Sequence, residues 1–440
     1  MKQLTYPDQL EIQPFAARGV AATVSVPGSK SITNRALVLA ALASQTGPCT
    51  LTGALRSEDT EVMVDSLQRL GFNVVADWDH DIIRIGKNES GRVIPAEKAE
   101  LFVANSGTSM RFLTAMVSLG KGHYRLDGVP RMRERPIRDL ICALNELDVN
   151  AVSDNANGCP PVTIRSKGWK SNRAVIRSDV SSQFLSGLMM CAPFAEGMQD
   201  VYFFVEGQTV SQPYLEMTND VLTSWSAETG FIENIQTFEC ICDRIRPYRD
   251  VYAIEPDASA ASYFWAAAAI LGGRVTVADL TDKSIQGDVA FVDVLQQMGC
   301  RVEKCDAGIT VHGESLRGVD VDMNAISDTV MTLGAVACFA DGPTQIRNVA
   351  HIRHKETDRI AALATELRRL GAEVEELADG LTITPRPLHG AAVETYNDHR
   401  MAMSLALIGL KVPGVIIKNP GCVAKTYPGY WRDLDRMLGR

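Results

Sequence analysis

The stretch Pro27-Gly-Ser-Lys-Ser-Ile-Thr-Asn-Arg35 decides how the rest of the chain is read. Residues Ala21 to Val26 before it alternate apolar and small polar side chains and stop at a proline, as a strand does at its end. Gly28 permits a tight turn, Ser29 suits an N-cap, and Ile32, Ala36, Leu39 and Ala40 mark one face of a helix. Free N–H groups at that helix start stand beside Lys30, and i,i+4 spacing puts Ser31 and Arg35 on one face. Backbone, ammonium, hydroxyl and guanidinium together make an anion site. The same residues equally suit a capped helix carrying two solvated cations. A nucleotide P-loop is excluded: it needs a glycine five positions before a Gly-Lys pair, and here Thr23 stands there while Ser29 follows Gly28.

The pattern recurs along the chain. Short β-rich runs ending in a Gly or Asn turn occur at Leu51–Gly53, Tyr124–Gly128, Tyr202–Gly207, Val275–Ala278, Gln345–Asn348 and Val415–Asn419, their ends roughly 70 to 80 residues apart. A polar helix start precedes each run: Ser29-Lys-Ser31, Asn105-Ser-Gly-Thr108, Ser181-Ser-Gln183, Asp257-Ala-Ser259, Ser327-Asp-Thr329 and Asn397-Asp-His-Arg400. Second helices end at Gly71, Gly299 and Gly371, the usual left-handed cap. Six copies of a mixed α/β unit fit this spacing. If equivalent units pack side by side, their helix starts converge with positive dipole ends together. A chain that is acidic overall could then hold an anion-attracting cleft.

Composition bounds the partners. At 440 residues the chain has room for two or three domains, and 46% hydrophobic with 22% charged residues is ordinary for a soluble globular protein. A net charge of −9 gives no support for nucleic acid or a membrane surface as partner. Met1 to Gly19 lacks the apolar core of a signal peptide, and the run Trp265–Leu271 is too short to span a bilayer. The ten cysteines are scattered, Cys240 and Cys242 being closest, and their spacing does not suggest zinc. Reduced thiols in a cytoplasmic enzyme fit best, and a plastid form without its transit peptide would look similar.

Chemistry-bearing residues sit at the repeated helix starts. Gly107 allows close backbone approach, Thr108 can cap, and Arg111 follows. Pro130-Arg-Met-Arg-Glu-Arg-Pro136 is a proline-bracketed loop rich in arginine, either solvated or functional. Ser181, Ser182 and Gln183 offer neutral hydrogen-bonding groups, and Ser211-Gln-Pro-Tyr214 is an irregular polar segment after a strand. Glu255-Pro256-Asp257 reads as a domain crossing, followed by an Ala-rich core helix to which no chemistry is assigned. Asp328 at a helix start has capping as its default role. In His351-Ile-Arg-His-Lys-Glu-Thr-Asp-Arg359, helical spacing would turn Lys355, Glu356 and Arg359 toward one site, or make a salt-bridged exposed helix start. Arg400 and, in Ala424-Lys-Thr426, Lys425 complete the set.

Taken together and in order, these motifs resemble the enolpyruvyl transferase family, and within it the 5-enolpyruvylshikimate 3-phosphate (EPSP) synthases, from one end of the chain to the other. The resemblance implies a two-domain inside-out α/β barrel of six βαβαββ units, three per domain. One domain would span 28–254, on the shikimate phosphate side, and the other 1–27 plus 255–440. It implies addition and elimination that move the enolpyruvyl group of phosphoenolpyruvate to the 5-hydroxyl of shikimate 3-phosphate, without metal or organic cofactor. A monomer that closes on its substrates is expected, in a family that glyphosate targets. By matching position, Lys30, Ser31, Arg35, Ser181, Ser182, Gln183, Ser211, Tyr214, Asp328, His351 and Lys355 would hold shikimate 3-phosphate. Lys30, Asn105, Gly107, Arg131, Gln183, Glu356, Arg359, Arg400 and Lys425 would hold phosphoenolpyruvate. Resemblance to the family scheme makes Asp328 the acceptor of the hydroxyl proton and Glu356 the donor to carbon, assisted by Lys30; a carboxylate and an ammonium suit those transfers.

Three positions depart from the family pattern: His351 for Asn, Pro256 for Gly in the usual Glu-Gly-Asp run, and Phe112 for a Pro after the Met-Arg pair. Two rivals stand beside this reading. The UDP-N-acetylglucosamine carboxyvinyltransferases share fold and donor but use a loop cysteine, and Gly120 to Arg138 has none. A catalytically silent anion-binding homologue would have no need of Asp328, Glu356 and Lys30.

Overall fold

The computed structural model describes residues 5–17, 19–232, 237–241 and 248–440; Cys242 lies outside them. The chain divides into two compact units, Gly28–Ile254 and Met1–Pro27 with Glu255–Arg440. It is mixed α/β, and among the described residues each unit holds three sheets.

The wiring of the sheets repeats. In the Gly28–Ile254 unit, Lys98–Phe102 runs parallel to Lys121–Asp127, which pairs antiparallel with Val162–Lys167 and that with Asn150–Ser153. The parallel neighbours are joined through the helix Gly107–Val117, as two parallel strands require. Arg173–Arg177, Asp200–Glu206, Thr237–Ile241 and Glu228–Ile232 form a second sheet in the same pattern. In the other unit Asp320–Asp322, Thr344–Arg347, Gly380–Thr384 and Glu373–Leu377 repeat it. A three-stranded version joins Ala392–Val393, Ile416–Lys418 and Gln9–Glu11.

Two sheets exchange their first strand. Val20–Val24 leads into the helix Lys30–Ala43 and the strand Cys49–Thr52, yet it pairs in parallel with Gly273–Ala278. Val251–Ala253 leads toward Gly273–Ala278, yet it pairs in parallel with Cys49–Thr52. The chain therefore changes unit at each of these strand ends, and one unit is discontinuous in sequence. The Asp257 N–H donates to the Pro27 carbonyl at 2.8 Å, tying the two crossing segments. The first strand is Val20–Val24 rather than a run continuing to Val26, because the proline at 27 removes the ladder donor just beyond.

Three helices in each unit are largely apolar and buried on nearly every side. In the Gly28–Ile254 unit they are Lys30–Ala43, Gly107–Val117 and Ser182–Cys191, packed on one another. Their counterparts are Ala258–Leu271, Val330–Ala337 and His399–Gly409. A buried hydroxyl chain joins these last three: Ser262 to Thr332 at 3.1 Å and Thr332 to Ser404 at 3.4 Å. Second helices such as Glu58–Arg69 and Arg359–Arg369 alternate buried and exposed faces, and Gly71, Gly299 and Gly371 follow theirs at positive φ. No helix among the described residues is long and apolar enough to cross a membrane.

Candidate active site

The buried helices present their starts, and the side chains singled out in the sequence cluster there. In the Gly28–Ile254 unit Ser29 caps its helix, accepting from the Ile32 N–H at 3.4 Å, and leaves Lys30 and Ser31 on the first turn. The Lys30 ammonium lies 3.6 Å from Asp59, which is 2% exposed. Ser181 caps the third helix through the Gln183 N–H at 3.2 Å, leaving Ser182 on the first turn. The Gln183 amide donates to Thr108 at 3.2 Å, so two of the helix starts touch.

Ser106, not Thr108, caps the second helix, by accepting from the Ser109 N–H at 3.2 Å. Gly107 is its first residue, and the space its missing Cβ leaves is taken by guanidinium groups. A Cβ there would stand 2.4 Å from both Arg111 and Arg135. Arg135 in turn donates to the Asn105 carbonyl at 3.0 Å. Arg131, more exposed, pairs with Glu134 in its own turn at 2.8 Å.

Arg35 also braces the protein itself. It is 2% exposed, and it donates to Thr218 (2.8 Å), the Ser31 carbonyl (2.9 Å), the Tyr214 carbonyl (3.1 Å) and Ser186 (3.4 Å). Its plane lies over Phe112 and Tyr214 at 5.2 and 5.9 Å. Burial pushes this guanidinium down to about 10, with Tyr214 and Tyr252 opposing. The geometry makes Arg35 a brace that holds the Ser31 and Tyr214 carbonyls beside the helix start. Phe112, a departure from the family pattern, supplies one face of that brace. Ser211 precedes Tyr214 at positive φ, the αL conformation that aims the irregular segment.

The other unit gathers the carboxylates and cations. Arg359 is its hub, 1% exposed, with Nε donating to Asp398 (2.8 Å), Nη1 to Asp328 (3.1 Å) and Nη2 to Glu356 (2.9 Å). Burial works against this cation, but Asp398, Glu356 and Asp328 together raise its pKa. The helix begins only at Arg359, capped by Asp358, so Lys355 and Glu356 stand in the turn before it. Helical spacing is therefore not what brings Glu356 to Arg359. Asp328 sits within a short 3₁₀ turn, one residue before the Thr329 that holds the N-cap position of the next helix, and receives Arg400 at 2.6 Å. Lys425 reaches Glu356 at 3.6 Å. His351 is buried beside this set, and burial, then Lys355, pushes its imidazole down to about 3, so it is neutral. Among the described residues no three His, Cys, Asp or Glu side chains come together as metal ligands would.

Several participants were not singled out by sequence. Asp398 caps the His399–Gly409 helix through the Arg400 N–H at 2.9 Å and also pairs with Arg359, a double duty that capping logic does not reveal. Asp59 and Thr218 came from segments whose composition is that of any helix or loop, and Arg135 from the arginine-rich loop, where the sequence assigns it no role of its own.

Each unit thus gathers at its helix starts the cationic and hydrogen-bonding groups that suit small anionic ligands. A sequence model of EPSP synthase (3-phosphoshikimate 1-carboxyvinyltransferase) matches residues 16–434, and the chain belongs to that family. It is 47% identical over 428 residues to the 3-phosphoshikimate 1-carboxyvinyltransferase of Trichormus variabilis, covering 97% of this chain and 99% of that one. With the Nostoc punctiforme enzyme of the same name the identity is 48%, over 98% and 99% of the two chains. The fold matches a solved EPSP synthase from Acinetobacter baumannii with a TM-score of 0.79 at 23% identity, over 98% of both chains.

Proposed function

We infer that the protein transfers the carboxyvinyl group of phosphoenolpyruvate to the 5-hydroxyl of shikimate 3-phosphate, releasing phosphate, in the shikimate route to aromatic amino acids. Similarity of 47 and 48% over nearly the whole chain to enzymes of that name supports this over the UDP-N-acetylglucosamine enzymes. The recurrent sheet wiring supports six βαβαββ units in an inside-out barrel arrangement, three to each unit of the chain, with Gly28–Ile254 on the shikimate phosphate side.

The observation that carries the mechanism is the hub in which Arg359 bridges Asp328 and Glu356 while Arg400 and Lys425 flank it. Without substrate the two arginines are neutralised by the protein's own carboxylates. An incoming phosphoenolpyruvate, itself an anion, competes for Arg359 and Arg400 and loosens their hold on Asp328. Asp328 then takes the proton of the 5-hydroxyl as its oxygen bonds to C2 of the enol phosphate. Glu356 delivers a proton to the methylene carbon, assisted by Lys30, and Lys425 stays beside it as a fixed cation. The tetrahedral adduct returns a proton from the new methyl group and expels phosphate, so the hydroxyl proton leaves with the products. Gln183, Ser181 and Ser182 offer hydrogen bonds to shikimate 3-phosphate, with Lys30, Ser31, Arg35, Ser211, Tyr214, His351 and Lys355. Asn105, Gly107 and Arg131 serve phosphoenolpyruvate. As a neutral ring, His351 acts as a hydrogen-bonding group and not as a cation.

Phosphate release from phosphoenolpyruvate with shikimate 3-phosphate, run beside the same assay with UDP-N-acetylglucosamine, tests the assignment. Release only with the sugar nucleotide, or with neither acceptor, would overturn it.

A further inference from the structure

The Ala-rich helix Ala258–Leu271 opens with a serine that does more than pack. Ser259, 8% exposed, donates its hydroxyl proton to Asp288, 3% exposed in the short turn Gly287–Ala290. The same oxygen accepts from Arg400 Nη2 at 3.4 Å. That nitrogen's other bond runs to Asp328 Oδ2 at 2.6 Å. Four residues thus form one line, Asp288 to Ser259 to Arg400 to Asp328, and both hydrogens of a single guanidinium nitrogen are used.

The turn that carries Asp288 is itself anchored. The Gln286 amide donates to the Pro256 carbonyl at 2.7 Å and to Glu255 at 3.0 Å, and its oxygen accepts from the Ala258 N–H at 3.0 Å. Ser284 donates to the other end of this clasp, Glu255, at 2.6 Å. Asp288 is therefore fixed against the first turn of the helix and cannot drift from Ser259.

We propose that Asp288 is a positioning residue for the transfer reaction, acting through the Ser259 hydroxyl to hold the Arg400 guanidinium in register with Asp328. The inference rests on the reading of Asp328 as the proton acceptor. A guanidinium exchanged between Asp328 and an anionic substrate needs a second, permanent anchor, or it would follow whichever anion moves. Ser259 and Asp288 are that anchor, since their bonds to Arg400 and to each other run within the protein. Charge supports the geometry. Burial, then the neighbouring Asp328, pushes the Asp288 carboxyl up to about 6, while Arg400 and the Ser259 bond oppose this and Asp257 at the helix cap adds to it. Its negative charge is thus one that the surroundings resist and the hydrogen-bonded line retains.

Asp288→Asn and Ser259→Ala, each in the full-length protein, test the proposal, with Asp328→Asn as reference. Both should lower kcat at least tenfold while the KM of each substrate stays within about threefold. The double variant should be no slower than the slower single one, because both changes cut the same line. Removing the Asp288 charge should also move the acid limb of the kcat profile to lower pH. Wild-type kcat in Ser259→Ala, a loss carried by KM, or losses that multiply in the double variant would each overturn it. Should Asp288→Asn fail to fold, as a melting curve would reveal, Ser259→Ala decides alone. Near-normal turnover in Asp328→Asn would instead sink the proton-acceptor reading; an inactive Asp328→Asn beside fully active Asp288→Asn and Ser259→Ala would sink only this proposal.

Discussion

Gly107→Ala isolates one contact whose cost can be worked out. The new methyl carbon would stand 2.4 Å from Arg111 Nη1 and from Arg135 Nη2, and 2.8 Å from Arg135 Cζ. Ordinary contact needs about 3.4 Å or more, so each guanidinium must retreat by about 1 Å. Long side chains usually give way cheaply, but both arginines are only 3% exposed, and Arg111 also bonds the Pro136 carbonyl at 3.1 Å. The same retreat would stretch Arg135's 3.0 Å bond to the Asn105 carbonyl beyond hydrogen-bonding range. Overpacking costs about 1–3 kcal/mol, and a lost bond from a charged donor adds about 1.5 kcal/mol or more. We expect a loss of roughly 3 kcal/mol, a melting temperature lower by about 6–12 °C. The KM for phosphoenolpyruvate should rise with it, because Asn105 and the turn at Gly107 move together. Calorimetry and steady-state kinetics on the purified variant read both quantities. A melt within about 1 °C of wild type would mean that the guanidiniums step aside freely. A raised KM with unchanged stability would mean that the methyl group points into substrate space instead.

Asp328→Asn keeps shape and hydrogen bonding but removes the base, so turnover should fall roughly a hundredfold or more with shikimate 3-phosphate still bound in calorimetry; near-normal kcat would remove Asp328 from the role. Arg359→Lys keeps the charge but loses the fork that meets three carboxylates, so it should cost about 3 kcal/mol or more in chemical denaturation, and a variant as stable as wild type would show that the hub is replaceable. His351 has its pKa lowered from 6.5 to about 3, so its stabilisation is present above pH 6.5 and is lost as pH falls toward 3. That amounts to about 1.5 kcal/mol between pH 6.5 and 5. Asp288, raised from 3.8 to about 6, acts with the opposite sign, its stabilisation being lost as pH rises through 6. The comparison is therefore between wild type and His351→Asn, whose stability should fall less steeply with acid; identical slopes would show that His351 takes up a proton in the folded state.

Local physics made much of this protein legible before any coordinates. Ser29 caps its helix as read, Ser181 and Asp257 stand at helix starts as read, and the β-rich runs ending near Gly53, Gly128, Gly207, Ala278, Asn348 and Asn419 are strands. A cap, a turn or a helix stop is decided by groups within three or four residues, and those are written next to one another. The ordered motifs pointed to the family for the same reason, since each is a short run of neighbouring residues. What the motifs do to one another was decided elsewhere. Arg35 donates to Thr218, 183 residues away, and Arg359 closes its fork on Asp398, 39 residues on. Asp288, absent from every motif, reaches Asp328 through Ser259 and Arg400. Even the partner of the first strand is not its sequence neighbour, because Val20–Val24 and Val251–Ala253 exchange sheets. Charge type and spacing tell which residues can bind an anion. Which of them remain to bind one depends on the carboxylates and carbonyls that folding brings within 3 Å, and these come from chain-distant elements that local patterns do not pair.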